Sequence, residues 1–338
     1  MALDRTPFFV GGGAEHSAEV ARLLAHVATA GAEGIIGAGS LAVRAQATPG
    51  PSVRVAPGAA AILNRYAGGA QQTYVLRNAS QTTVPITATG SSGGRTDLVV
   101  ARILDPQYQG QAPSDPNAFD YSRLEVIEGV PAGTTSAAQL GLSYPAIALA
   151  RVTLPASTAT VTSSMIRDLR AVANPRTEDV WRVRPQVMAD GGETLTATRE
   201  NGEWFPNTGA EQQVFIPEWA TRVQMEFTWA GIRYAIGNSW GEMWIEWGPG
   251  IGGLNGTQDR QYKANPFPWD MVDNSSVYRT NWICLDDMPI PAALRGTTQT
   301  FVGKAKILGG TPGMVSVDFR SGVALKLRFL EAPDASSS

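Results

Sequence analysis

The strongest constraint on the fold is a two-residue alternation of apolar side chains in the second half of the chain. Val223, Met225, Phe227 and Trp229 alternate with polar residues. Successive side chains of a β-strand point to opposite faces of the sheet, so this alternation is typical of a strand with one buried face. Residues 323–329 repeat the pattern. These segments predict antiparallel strands, each half-buried in a common core.

The first half of the chain contains shorter apolar runs separated by turn residues. The longest run, from Asp97 to Leu104, is almost continuously apolar and predicts a central, well-buried strand. The 36 glycines and 22 prolines favour turns and short strands over long helices. We therefore predict a mainly β protein with an N-terminal helix, a small β module over residues 35–173, and a C-terminal antiparallel β-sandwich or jelly roll over residues 186–331.

The predicted helix lies in residues 1–34, after an N-terminal arm. Val20, Leu23, Leu24 and Val27 have the spacing of one apolar stripe on a helix. A helix of this length is not stable alone in water, so the stripe must pack on the following module or on sister copies of the chain. The second alternative predicts self-association through these four residues, as a homotrimer or another closed ring.

A domain boundary is predicted at residues 174–185, a charged segment with an Asn-Pro step that we interpret as a linker. All nine tryptophans lie at or after Trp181, so aromatic composition also changes here. Two regions with such different aromatic content are expected to pack independently. Residues 332–338 are expected to form a disordered tail.

The overall composition argues against several classes of protein. The net charge of −3 and the lack of a basic segment argue against a nucleic-acid partner. No run of about 20 apolar residues occurs, so membrane insertion is not expected. Cys284 is the only cysteine, which excludes an intrachain disulfide and favours folding in a reducing cytosol. The only lysines all come late in the chain: Lys263, Lys304, Lys306 and Lys326.

Catalytic chemistry has little support in the sequence. The only histidines, His16 and His26, lie ten residues apart in the predicted helix, too far apart to chelate one ion within it. With no histidine after residue 26, a Ser-His-Asp triad in the globular body is not expected. We predict a non-enzymatic protein with no catalytic, cofactor-binding or metal-binding residues.

Glu242, Trp244 and Glu246 form the most suggestive pattern for ligand binding. On a strand these three side chains share one face, opposite Met243 and Ile245. The two carboxylates would lie about 13 Å apart, too far for the acid pair of a glycosidase. An exposed indole beside carboxylates can instead stack on a sugar ring and accept its hydroxyl hydrogen bonds. The alternative is that Trp244 packs against a neighbouring subunit or loop.

Two arginine–aspartate pairs lie in the first module. Arg95 and Asp97 precede the predicted buried strand, and Asp168 and Arg170 repeat the same chemistry near the end of the module. We expect each pair to form a charge-assisted contact at a strand end.

Several segments together carry a family resemblance. The segments are GAEGIIGAGSLAV at residues 31–43, RTDLVVARI at 95–103, IRDLR at 166–170 and, less closely, IPEWATRV at 216–223. This succession resembles the minor tail proteins of siphophages that infect actinobacteria, mainly over the first half of the chain.

The resemblance implies a structural protein of the virion, made in the host cytoplasm and placed at the tail tip or baseplate. Its first module would attach to other tail proteins, and its second would project and contact the host surface. A dedicated receptor-binding protein for a host cell-surface glycan is the first alternative. A cell-wall-degrading tail enzyme is the second, and the residues favour it least.

Overall fold

The computed structural model describes residue 13 and residues 15–186, 192–207, 209–252 and 259–334. It confirms the predicted fold class, with one N-terminal helix followed by antiparallel β-sheets. The chain divides after Pro175 into two compact units, and the segment after Glu331 returns to the first unit. Most of the predicted N-terminal arm, and the predicted tail from residue 335 onward, lie outside the described residues.

The first unit contains the helix and three small sheets. The elements are α1 (Ala18–Ala28), β1 (Gly34–Ile35), β2 (Val43–Ala45), β3 (Ser52–Val55), β4 (Gly58–Leu63), β5 (Thr73–Asn78), β6 (Thr82–Pro85), β7 (Arg95–Ile103), β8 (Ser122–Ile127), β9 (Ala146–Leu154) and β10 (Ile166–Asp168). The sheets have the strand orders β1-β4-β5, β2-β3-β6 and β10-β9-β7-β8. Two short 3₁₀ helices, Ala137–Leu140 and Ser163–Met165, lie in the connections on either side of β9.

The core of the first unit is centred on β7, as its apolar sequence predicts. This strand pairs with β8 on one side and β9 on the other, and residues 97–101 are all buried. Arg95 donates to both carboxylate oxygens of the fully buried Asp97, at 2.7 and 2.9 Å. Arg170 and Asp168 form the second predicted pair, with contacts of 2.6 and 2.9 Å. Both arginine–aspartate predictions are confirmed.

The second unit is a β-sandwich of two six-stranded antiparallel sheets. The strands are β11 (Thr177–Arg184), β12 (Gly192–Thr194), β13 (Glu203–Trp204), β14 (Glu211–Phe215), β15 (Arg222–Tyr234), β16 (Gly237–Gly250), β17 (Arg260–Lys263), β18 (Phe267–Asn274), β19 (Tyr278–Pro289), β20 (Thr298–Gly310), β21 (Val315–Asp318) and β22 (Gly322–Leu330). The first sheet has the order β11-β22-β15-β21-β12, with β19 also paired to β15. The second has the order β13-β20-β16-β17, with β14 paired to β20 and β18 to β16.

Large aromatic side chains fill the space between these two sheets. Phe227 and Trp229 of β15 are fully buried, with ring centroids 4.5 Å apart. They lie against Gly303 of β20, where an added Cβ would come within 2.6 Å of Trp229 and 2.7 Å of Phe227. Gly303 therefore provides the room for two bulky rings in a close-packed core. The alternation in residues 223–229 and 323–329 correctly predicted the buried faces of β15 and β22.

The prediction of a linker at residues 174–185 is wrong. Residues 177–184 form β11, which pairs with β22 over its whole length. Val180 is its one half-buried side chain, while the others are exposed. An edge strand can be charged and still be held by its backbone hydrogen bonds, so its composition is like that of a linker.

The prediction of a disordered tail is also wrong for residues 332–334. These residues belong to the first unit, and the Asp334 amide donates to the Ala38 carbonyl at 3.1 Å. Arg170 contacts the carbonyl oxygens of Ala38 and Ser40 at 3.1 and 2.7 Å, beside the same segment. Backbone hydrogen bonding therefore orders a segment whose small and polar side chains suggest disorder.

Candidate functional site

The predicted sugar platform around Trp244 is not at the surface. Met243 and Ile245 of β16 face the core as expected, but Trp244, on the opposite face of the strand, is fully buried as well. The turn before β13 covers it: a Cβ added at Gly202 would lie 2.5 Å from the indole ring. The interpretation of Trp244 as a glycan contact is therefore wrong, and the alternative that it packs against a loop is correct.

Glu246 is buried beside Trp244 and is held at both carboxylate oxygens. Trp244 Nε1 donates to Glu246 Oε1 at 2.8 Å, and the Arg260 amide donates to Oε2 at 3.0 Å. Lys304 Nζ, fully buried on the adjacent strand β20, lies 3.2 Å from Glu246 Oε2. The same ammonium nitrogen is 2.5 Å from Asp259 Oδ1. We refer to Lys304, Glu246, Asp259 and Trp244 as the Lys304 cluster.

Asp259 combines burial with strong charged contacts. Burial raises the pKa of its carboxyl group, but hydrogen bonding and charge from Lys304, with a hydrogen bond from Asn201, outweigh this effect. The pKa of Asp259 is therefore below its usual range. A buried ammonium between two carboxylates is stable only because the charges compensate one another. Substitution of one partner by an uncharged residue would leave a buried charge without compensation.

Glu242 forms a separate ion pair with Lys306, at 3.0 Å. Lys263 Nζ lies 4.2 Å from the centroid of the Trp244 ring, within the range of a cation–π contact. Glu242 is therefore paired with Lys306 and Glu246 with Lys304. Neither carboxylate has the position of the free acid or nucleophile of a hydrolase. The one signal of this arrangement in the sequence is the confinement of all four lysines to residues 263–326, because three of them surround this single tryptophan.

A different surface of the second unit carries exposed apolar side chains. Trp181, Lys326, Glu226 and Leu285 are directly opposite one another on β11, β22, β15 and β19, so they form one row across four strands. Trp181 is 70% exposed and Leu285 is 54% exposed. Large apolar groups that alternate with charges on a broad sheet are typical of a contact surface for another molecule.

Two further rows extend this surface, and we call all three rows together the outer face. The pairing of the strands adds these residues: Asp179, Arg328, Gln224 and Asp287 in one row, and Val183, Ala324, Thr228 and Ile283 in the other. A groove of about 460 Å³ crosses the outer face between β15, β19 and β22. Ion pairs lie along the row that contains Asp179 and Asp287. Arg328 is 2.7 Å from Asp179, and Arg222, on β15, is 2.9 Å from Asp287.

The apolar stripe of α1 does not pack on the first unit. Leu23, Leu24 and Val27 are exposed and Val20 is half-buried, so the first of the two alternatives for this stripe is wrong. The polar side of the helix makes the contacts instead, mainly through Arg22.

Arg22 donates to Gln72 and Gln107 and lies 3.3 Å from Asp105. His26 Nδ1 is 3.1 Å from Thr73 Oγ1. These polar contacts orient the stripe toward solvent, and self-association through it stays a prediction.

Within the described ranges, no group of three or more His, Cys, Asp or Glu side chains is arranged to hold a metal ion. Among the helices described, none has the length and apolar character needed to cross a membrane.

Comparison with known proteins gives no family for this chain. No protein-family model matches it, and no curated protein matches it. Among solved structures, the VP2 subviral particle of infectious bursal disease virus is similar at 12% identity with a TM-score of 0.24, over 88% of this chain and 70% of that one.

The Gx strain of the same virus gives 12% identity and a TM-score of 0.23, over 90% of this chain and 76% of that one. The mosquito-larvicidal Cry4Aa toxin from Bacillus thuringiensis gives 7% identity and a TM-score of 0.20, over 88% of this chain and 54% of that one. Likenesses at this level carry no argument about function.

Proposed function

We propose that this chain is a non-enzymatic structural component of a bacteriophage tail tip or baseplate. The first unit attaches it to other tail proteins, and the second projects and presents the outer face to a partner. The resemblance of residues 31–43 and 95–103 to minor tail proteins supports the tail location. The protein acts in the virion after synthesis in the host cytoplasm, and its partners are further copies of itself and neighbouring tail proteins.

The outer face is the observation that carries the proposal. Trp181, Val183, Ile283 and Leu285 are all exposed, on two strands that flank the charged residues of β22 and β15. An apolar set of this size costs solubility unless a partner covers it. Its spread over four strands and its interspersed charges suit a protein surface better than a small-molecule cavity.

Leu285→Asp tests this role. The substitution places a charge at one end of the central row of the outer face without touching the core, so folding is expected to persist while incorporation into phage particles falls at least tenfold. Phe215→Asp is the matched control, because Phe215 is also 54% exposed but lies on β14, in the other sheet. Equal incorporation of the two variants would contradict the role of the outer face.

A second candidate is the binding of a host cell-surface glycan on the same face. The exposed Trp181 indole next to Lys326, with the groove close by, offers stacking and hydrogen-bonding groups for a sugar. Glycan-array binding that is lost on Trp181→Ala and kept on Phe215→Ala would favour this function. Clearing of host cell walls by the purified chain would instead contradict the non-enzymatic proposal.

A further inference from the structure

The Lys304 cluster places an amine against a carboxyl group on the covered face of β16 and β20 that points away from the sandwich core. The Lys304 side chain has no exposed surface, that of Glu246 is 5% exposed, and that of Asp259 is 15% exposed. The outer face does not include these residues, and the proposed tail role does not use them. An amine and a carboxyl group held together away from water can react with each other as well as form an ion pair.

We propose that Lys304 and Asp259 condense to an amide, an intramolecular isopeptide bond between Lys304 Nζ and Asp259 Cγ, and that Glu246 carries the proton. This bond would be a covalent modification of the chain, formed after folding and without another protein. It would join β20 to the start of β17, two strands that lie on opposite sides of β16.

The distances are those of a near-attack arrangement. Lys304 Nζ is 2.5 Å from Asp259 Oδ1. Since a carboxyl C–O bond is about 1.2–1.3 Å long, Cγ is at most about 3.8 Å from the nitrogen, close to the ~3–3.5 Å of reactive conformers. Groups fixed in this way react as if each were at a very high concentration, with effective molarities of about 10⁵–10⁸ M.

The two carboxylate oxygens of Asp259 have different hydrogen-bond partners. Oδ1 contacts the amine, and Asn201 Nδ2 donates to Oδ2 at 2.9 Å. The Asn201 amide can therefore stabilise the negative charge that develops on Oδ2 when the nitrogen adds to Cγ. The backbone of Asp259 is also fixed, through hydrogen bonds with Ile251 and Gly252 at 2.9 and 2.7 Å.

The reaction balances without an oxidant or a co-reactant. One proton first moves from the Lys304 ammonium to Asp259 Oδ1, which gives a neutral amine and a neutral acid. The nitrogen lone pair then forms the N–Cγ bond, and Glu246 takes a second proton from the nitrogen. Glu246 returns that proton to Oδ1 as the Cγ–Oδ1 bond breaks and one water molecule leaves.

Formation of the amide removes the buried charges of Lys304 and Asp259 together, which relieves their desolvation cost. Glu246 keeps its hydrogen bonds from Trp244 and the Arg260 amide. These contacts leave Oε2 facing the nitrogen, the position that a general base requires.

Intact-mass spectrometry of the full chain tests the proposal. The folded protein is expected to be lighter than its sequence by one water molecule, and digestion is expected to yield a branched peptide joining Lys304 to Asp259. Glu246→Gln is expected to slow the appearance of the lighter species by roughly 10²–10⁴-fold after refolding. A folded protein that keeps the full sequence mass would overturn the proposal.

Two variants separate this bond from other losses of water. Lys304→Arg keeps a cation between the carboxylates but has no primary amine to condense, so it is expected to have the full mass. Lys306→Arg alters the neighbouring pair with Glu242 and is expected to remain lighter by one water molecule. A loss of water that persists in Lys304→Arg would point to cyclisation of Asp259 on its own backbone and would refute the isopeptide bond.

Discussion

Trp244 Nε1 donates a 2.8 Å hydrogen bond to Glu246 Oε1, two residues further along the same strand, and both side chains are buried. The pattern of Glu242, Trp244 and Glu246, which is typical of a sugar-binding surface, is therefore covered and takes part in buried charged contacts. This burial moves the candidate contact surface of the second unit to the outer face, around Trp181 and Leu285. It also means that a change at Trp244 acts first on stability.

Trp244→Ala is expected to lower the free energy of unfolding of the second unit by about 3–5 kcal/mol, because it removes a large buried ring. Trp244→Phe keeps most of the volume but removes a donor to Glu246, and is expected to cost about 1–3 kcal/mol. Trp181→Ala is the control and is expected to change stability by less than about 0.5 kcal/mol. Urea unfolding measures all three, and equal effects at Trp181 and Trp244 would refute the burial of Trp244.

Cys284 is expected to be unreactive in the folded protein. Burial raises the pKa of its thiol to about 12, so almost no reactive thiolate is present at pH 8. Labelling with a thiol reagent should be at least about 10²-fold slower in the native protein than in urea. Complete labelling of the native chain within the time needed for the unfolded chain would contradict this account.

The ion pair between Arg279 and Asp318 is expected to make stability depend on pH in the acid range. A hydrogen bond from Arg279, 2.5 Å from Asp318 Oδ2, holds the pKa of that carboxyl below its usual value of 3.8. A group with a lowered folded pKa stabilises the fold above its unfolded pKa, and this contribution is lost as pH falls through the folded value.

Urea unfolding at pH 6 and at pH 3 should therefore show a smaller loss of stability in Asp318→Asn than in the parent chain. The variant has no carboxylate to protonate at this position, so its pH dependence reports the remaining groups. An identical loss in both proteins would show that the pair with Arg279 does not contribute.

The exposed stripe of α1 is expected to drive self-association. Replacing both Leu24 and Val27 with glutamine should lower the molar mass in light scattering from that of a trimer toward that of a monomer. The fold should persist, because neither side chain packs on the first unit. Val75→Gln is the control, since Val75 is 63% exposed on the same unit but lies on β5. A parent chain that is already monomeric, or unchanged mass in the double variant, would contradict the prediction.

The fold was predictable where one face of a strand is buried and the other is solvated. The alternation through Phe227 and Trp229 therefore identified β15 correctly, and the apolar run after Asp97 identified β7. The edge strand β11 was missed because its side chains are mostly exposed, so its sequence carries no burial signal. Only its backbone pairing with β22, a long-range contact, holds residues 177–184 in a strand.

The candidate site was less predictable because it depends on contacts between distant residues. Glu242 and Glu246 suggest a solvated strand face, yet Lys306 and Lys304 compensate their charges and Gly202 lets a turn cover the ring between them. The local sequence of β16 does not indicate that Lys304, Lys306 and Gly202 contact this strand. The outer face is similar: Trp181 and Leu285 lie more than a hundred residues apart and meet only through strand order.

The most direct test of the proposed function is a cryo-EM reconstruction of phage particles purified from cells that carry this gene. We expect density for the chain at the distal end of the tail, in three copies, with the first unit on the tail and the outer face of the second unit against a neighbour or directed outward. Density for the chain in the head shell, or its absence from purified particles, would contradict it.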